Sequence, residues 1–161
     1  MVAKRTPAAD VRAALIAAGH RVLVEHGVAG LTVRAVAAEA GVAPMGVYNH
    51  LDGKDGLVGA IVSDGFDRLR TYLTAVVDTD ARTRFRASGR AYRRFAQDNP
   101  TLYRLMFSPD CDLGGEAGLL ALSSLTEIIR YAQASGIVRA DDPFELTLSV
   151  WSCVHGAVSL E

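Results

Sequence analysis

Thr32 to Leu51 constrains this chain more than any other stretch, because it sets two very short helices almost end to end. Thr32 is a side-chain N-cap for a helix over 33–40, with Val33, Val36 and Ala37 facing inward. Gly41 stops that helix after about two turns. Pro44 suits the first turn of a third helix running to about His50. Upstream, Thr6 as N-cap and Pro7 at the first helical position open a first helix. Its Val11, Leu15, Ala18 and Val22 form one stripe, and Gly27 and Gly30 end it. Three helices with a tight glycine turn between the second and third form the pattern of a helix-turn-helix, whose second helix lies in the DNA major groove.

The remainder has the texture of an all-α protein. Half of the residues are apolar and only 7% are aromatic, a balance that favours helices. A long helix is expected over 54–77, with Val58, Val62, Phe66, Leu69, Leu73 and Val76 on one stripe. Another runs from about Ala81 to Asp98 with Phe85, Tyr92 and Phe95, and Asn99–Pro100 stops it. Pro100 opens a short helix through Phe107, SPDCDLGGEAG forms a loop, and helices follow at 116–135 and 143–160, the latter capped by Asp142. The expected order is three short helices, one long connecting helix and four more.

On the helix from Pro44, Val47 and Leu51 share the apolar face, while Pro44, Met45, Tyr48 and Asn49 fall opposite. Those four suit DNA better than they suit solvent. Asn bonds adenine N6/N7 in bidentate fashion or, equally well, a phosphate; Met and Pro pack on thymine methyls; a Tyr hydroxyl donates to a phosphate. Gly46 costs about 1 kcal/mol of helix propensity and lets the backbone approach a duplex closely. Lys54 adds a positive charge beside the free N–H groups of a helix start, which favours a phosphate. Net charge is −1, but residues 1–55 carry six bases, Lys4 and Arg5 among them, against five acids. That small excess permits DNA contact without demonstrating it.

These residues carry a resemblance. LTVRAVAAEAGVAPMGVYNHLDGKDGLVGAI, Leu31 to Ile61, resembles the DNA-binding signature of the TetR (tetracycline-repressor) family of bacterial transcriptional regulators. The pieces are LTVR at a helix start, AGV at the turn, VYNHL on the recognition helix and GKDGL opening the linking helix. The resemblance implies an all-α, usually homodimeric repressor. A helix-turn-helix domain over residues 1–53 would join a helical regulatory and dimerisation domain over 54–161. It implies that Thr32, Tyr48, His50 and Lys54 contact phosphates and that Pro44, Met45, Gly46 and Asn49 face bases. The partners implied are a pseudo-palindromic double-stranded operator, a second copy of the chain and a small-molecule effector that releases the DNA. Three positions depart from the family pattern: Ala43 stands where Ser is frequent, Leu51 where Phe is usual, and Gly56 where Glu or Ala is usual.

AYRRFAQDNPTLYRLMF (Ala91–Phe107) and WSCVHG (Trp151–Gly156) resemble a subgroup with a Trp–His–Gly signature in its C-terminal domain. Trp151 and His155, four residues apart, are either pocket wall or a packed Trp with a hydrogen-bonded core His. Phe95, Tyr103, Met106 and Phe107 are either cavity lining or plain core. Family members continue with a further helix beyond the point where this chain stops, so truncation after Glu161 is also expected.

Other chemistry finds little support. Cys111 and Cys153 lack CxxC spacing, and no His/Asp/Glu cluster has ligand spacing, so no metal, cofactor or enzymatic site is expected. Aspartates on both sides of Cys111 disfavour its thiolate. Arg82, Arg84, Arg86, Arg90, Arg93 and Arg94 suit a solvated face or, alternatively, an anionic effector site. No signal-peptide run or membrane-length apolar segment occurs, so a cytoplasmic location and no membrane partner are expected. The rival reading is a helical ligand-binding or protein-interaction module without sequence-specific DNA binding.

Overall fold

The computed structural model describes residues 8–109, 111 and 115–161, and every regular element among them is a helix. In chain order these are α1 (Ala8–Gly30), α2 (Val33–Ala40), α3 (Pro44–Leu51), α4 (Gly53–Thr74), α5 (Ala81–Asp98), α6 (Pro100–Met106), α7 (Gly115–Ala134) and α8 (Pro143–Ser159). The all-α expectation holds. The proposed Thr6 cap, Pro7, and the basic Lys4 and Arg5 lie outside the described residues.

Two expectations need correction. The first helix is not short: α1 spans 23 residues, the most of any of these elements. Gly27, at φ 66° and ψ −172°, interrupts it with a non-helical kink, and Gly30 is its last residue, so the two glycines expected to end it do so in two steps. The long connecting helix ends at Thr74 and does not reach Val77. Val77 is 78% exposed, so no burial repays extending the helix that far.

Local signals explain the other boundaries. Thr32 Oγ1 accepts from the Ala35 N–H at 3.2 Å and opens α2. Gly41, at φ 68°, closes it. Its N–H bonds the Ala38 carbonyl at 3.1 Å, and the Val42 N–H bonds the Ala37 carbonyl at 3.0 Å, forming a Schellman cap. Asp80 and Asp142 cap α5 and α8 through their carboxylates. Ala43 gives α3 no side-chain cap.

Helices of eight residues, such as α2 and α3, are unstable alone, so docking must hold them. Val36, Ala37, Val47 and Leu51 supply it, each at most 4% exposed. The helix beneath them is α4. It buries Leu57, Ala60, Ile61, Val62, Phe66, Leu69 and Leu73, more than the single stripe expected, because neighbours surround it. It packs on α1, α2 and α3 near its start and also on α5, α6 and α7. One continuous cluster of buried side chains therefore runs from Leu15 in α1 to Ala121 in α7, and α6 touches α1 directly.

Candidate nucleic-acid interface and interior cavities

The turn between α2 and α3 sets the angle of α3, and Val47 and Leu51 fix which face it turns inward. The opposite face is open: Met45 is 63% exposed, Tyr48 is 55% exposed, and Pro44 and Asn49 are exposed beside them. Large apolar side chains in water at such a spot are informative in a way that scattered surface Leu residues are not. Thr32 and Lys54 are exposed at the starts of α2 and α4, and His50 is half-buried in the last turn of α3. The Thr32 hydroxyl accepts from the Ala35 N–H, which leaves its own proton for a phosphate oxygen. Lys54 stands between exposed Asp52 and Asp55, so its field is partly cancelled locally.

Glycines distinguish what the fold needs from what a partner would need. A Cβ at Gly46 would meet only the Val42 side chain, at 3.4 Å, an ordinary contact. The fold therefore does not demand glycine there. Gly53 differs: its φ is 85°, and a Cβ would lie 3.0 Å from the Tyr48 ring. The aromatic ring thus rests on the Gly53 backbone. At Gly56 a Cβ would fall 1.9 Å from the Leu51 carbonyl oxygen. Only glycine lets α3 end this close to α4, which gives the departure at position 56 a structural reason.

A second constellation lies among α5, α6 and α8. The hydroxyls of Tyr92 and Tyr103 lie 2.9 and 2.8 Å from His155 Nδ1 and 3.4 Å from each other. The Trp151 indole N–H donates to the Tyr92 hydroxyl at 3.3 Å, and Ser159 Oγ is 3.4 Å from His155 Nε2. Trp151 stacks on His155 with centroids 5.1 Å apart and planes 28° from parallel. Burial holds His155 below the ordinary histidine range, so the ring is neutral at pH 7. An unprotonated Nδ1 has one lone pair and accepts from one phenol, while the other phenol donates to the first one's oxygen. Burial, and then the bond to Tyr103, drive the Tyr92 phenol upward, which keeps it protonated.

This cluster borders three concavities. The first, of about 330 Å³, lies among α4, α5, α6, α7 and α8, with Phe66, Tyr92, Phe107, Leu125, Leu148 and Trp151 in its wall. The second, of about 210 Å³, shares Tyr92, Leu125 and Trp151 with it. A third groove, of about 590 Å³, has Tyr103, Phe107 and His155 in its lining. Of the six residues singled out for a pocket, Phe107, Trp151, Tyr103 and His155 border these spaces, whereas Phe95 and Met106 lie fully buried in the core and line none of them. Tyr92 was not singled out; its signal was a lone phenol on a buried stripe, which needs a hydrogen-bond partner. The aliphatic wall of α7 carried no signal distinct from core.

The arginines of α5 divide. Arg93 bonds Glu161 at 2.7 Å, Arg94 lies 3.7 Å from Asp98, and the Arg84 guanidinium sits 4.9 Å from the Tyr131 ring centroid. Arg86 borders the second cavity. Among the described residues no group of three or more His, Cys, Asp or Glu could hold a metal ion, and no helix is long and apolar enough to cross a membrane.

Comparison with known proteins follows this division. Residues 15–61 match the family model for bacterial regulatory proteins of the tetR family. Residues 85–161 match a tetracyclin repressor-like C-terminal domain. The HTH-type transcriptional regulator Rv1816 of Mycobacterium tuberculosis is 29% identical over 111 residues, which are 66% of this chain and 47% of that protein. The matched stretch thus spans about half the length of that relative. A protein of unknown function from Rhodococcus sp. RHA1 is similar in structure, with a TM-score of 0.80 and 31% identity over 93% of this chain and 81% of that one. A TetR transcription regulator from Haloarcula marismortui shares the fold, with a TM-score of 0.74 at 23% identity over 94% of this chain and 85% of that one.

Proposed function

Since the chain belongs to the TetR family of transcriptional regulators, we propose that it binds a double-stranded operator through α3 and responds to a small-molecule effector held among α4 to α8. The observation that carries this reading is the exposed Pro44–Met45–Tyr48–Asn49 face on a helix pinned from beneath by Val47 and Leu51. Pro44, Met45, Gly46 and Asn49 face base edges; Thr32, Tyr48, His50 and Lys54 contact phosphates. The division of labour falls near residue 53, where α4 begins. A homodimer places two α3 helices in successive major grooves about 34 Å apart, which calls for a pseudo-palindromic operator. The regulator acts as a repressor, and effector binding shifts its population toward a spacing of the two heads that no longer fits. Helix α4 runs from the DNA-facing end to the cavity wall at Phe66 and Leu69, and so couples the two.

The test is a salt-titrated gel shift with DNA flanking the chain's own gene, compared with random DNA. Tyr48→Ala and Lys54→Ala should each weaken binding, and each lost phosphate contact should flatten the salt slope by about one. Unchanged affinity and slope in both variants would remove α3 from the interface. Absence of any sequence preference would favour a ligand-binding or protein-interaction module instead.

A further inference from the structure

Resting on the effector reading above, we infer the chemical class of that effector: an uncharged, largely apolar molecule of about a dozen heavy atoms, selected by shape rather than by hydrogen bonds. Three observations carry it.

The first is the wall. Among the described residues that line the 330 Å³ cavity there is no Asp, Glu, Lys, Arg or His; the polar side-chain groups are the Tyr92 hydroxyl and the Trp151 indole N–H. A ligand charge brought into such a space loses its hydration and meets no counter-charge. The second is the state of those two polar groups. Trp151 donates to Tyr92, and Tyr92 is joined to His155 and Tyr103, so the cluster is satisfied within itself. Among the described residues the one buried side-chain polar atom without a partner is Arg84 Nε, and Arg84 lines none of the three concavities. A side chain placed to recognise a polar group leaves a donor or acceptor pointing at it; the side chains described in this wall leave none free. The third is size. A volume of about 330 Å³ holds roughly a dozen water-sized groups. Leu125, half-buried, lies in the wall shared by this cavity and the 210 Å³ one.

Arg86 makes a specific alternative testable. It is exposed and borders the second cavity, where an anionic head could meet it while a tail ran inward. The first cavity is larger and carries no such charge among its described lining residues, so it is the seat assigned here.

The chain contains one tryptophan, Trp151, in the wall of both cavities, so its fluorescence reports occupancy directly. The probes are 1-decanol, decanoate and decylammonium, matched in length and used below their aggregation concentrations, with thermal melting as a second readout. Decanol should shift Trp151 emission and raise the melting temperature. Decanoate and decylammonium should bind on the order of tenfold more weakly or worse. Leu122→Lys, at a half-buried position of the same wall, should reverse the order of decanol and decanoate. Decanoate binding as tightly as decanol overturns the inference, and loss of that binding in Arg86→Gln would assign an anionic amphiphile to the second cavity. If none of the three binds while a gel shift still shows specific DNA binding, the effector-cavity reading itself falls, as distinct from the assignment of ligand class.

Discussion

At the scale of single residues, two glycines ten positions apart play opposite parts. A Cβ at Gly46 would make only an ordinary contact with Val42, so Gly46→Ala should stabilise α3 by up to about 1 kcal/mol. The same methyl group should weaken operator binding, because it stands on the face proposed to approach the duplex. Gly56→Ala should do the reverse to the fold: its Cβ meets the Leu51 carbonyl, and accommodation should cost about 1–3 kcal/mol. Urea denaturation and gel shift on the two variants separate these effects. A Gly46→Ala protein with full DNA affinity would mean that no backbone approaches there.

At the scale of elements, what matters is how α1 is tied to α4. His20 Nε2 and Arg68 Nε lie 2.7 and 2.6 Å from the same Asp64 oxygen, and His20 is nearly buried. The hydrogen bond to His20, aided by Arg68, holds the Asp64 carboxyl below the usual carboxylate range. A depressed native pKa means that this stabilisation is complete above the unfolded value of about 4 and is lost as pH falls through the lower native value. Asp64→Asn should cost about 1 kcal/mol, a small figure because the side chain is 37% exposed. It should also flatten the loss of stability on acidification below about pH 4; urea midpoints against pH measure both. Ala43→Ser should add about 1 kcal/mol by supplying the cap that α3 lacks, read as a rise in melting temperature. Helix identities were legible in the sequence because caps and stops are local: Thr32, Gly41, Pro44, Asn99 and Asp142 each mark a boundary within a few residues. The tie from His20 to Asp64 spans 44 positions and has no local mark.

At the scale of the molecule, the core is continuous from α1, α2 and α3 to the cavity wall, so a change at one end has a packed route to the other. The outward face of α3 was legible because two-turn amphipathicity is a local pattern. The cavity was only half legible, since Phe107 and Leu148 bordering a space look the same in sequence as Phe95 and Met106 filling one. His155 gives a readout of the whole C-terminal assembly. Burial lowers its pKa, so the unfolded chain takes the proton first as pH drops. Stability from this site is therefore present above about pH 6.5 and declines below it. Protonation should quench the stacked Trp151 with a midpoint below the ordinary histidine value, and His155→Phe should abolish that transition. The central claim is that α3 carries sequence recognition, and selection of binders from a random duplex library tests it most directly. The chain should enrich a pseudo-palindrome with half-sites about one helical turn (~10 bp), or a multiple of it, apart. Replacing Met45 and Asn49 by Ala together should erase or alter the half-site sequence. Enrichment of the same motif by that variant, or of no motif by the unaltered chain, would contradict the account.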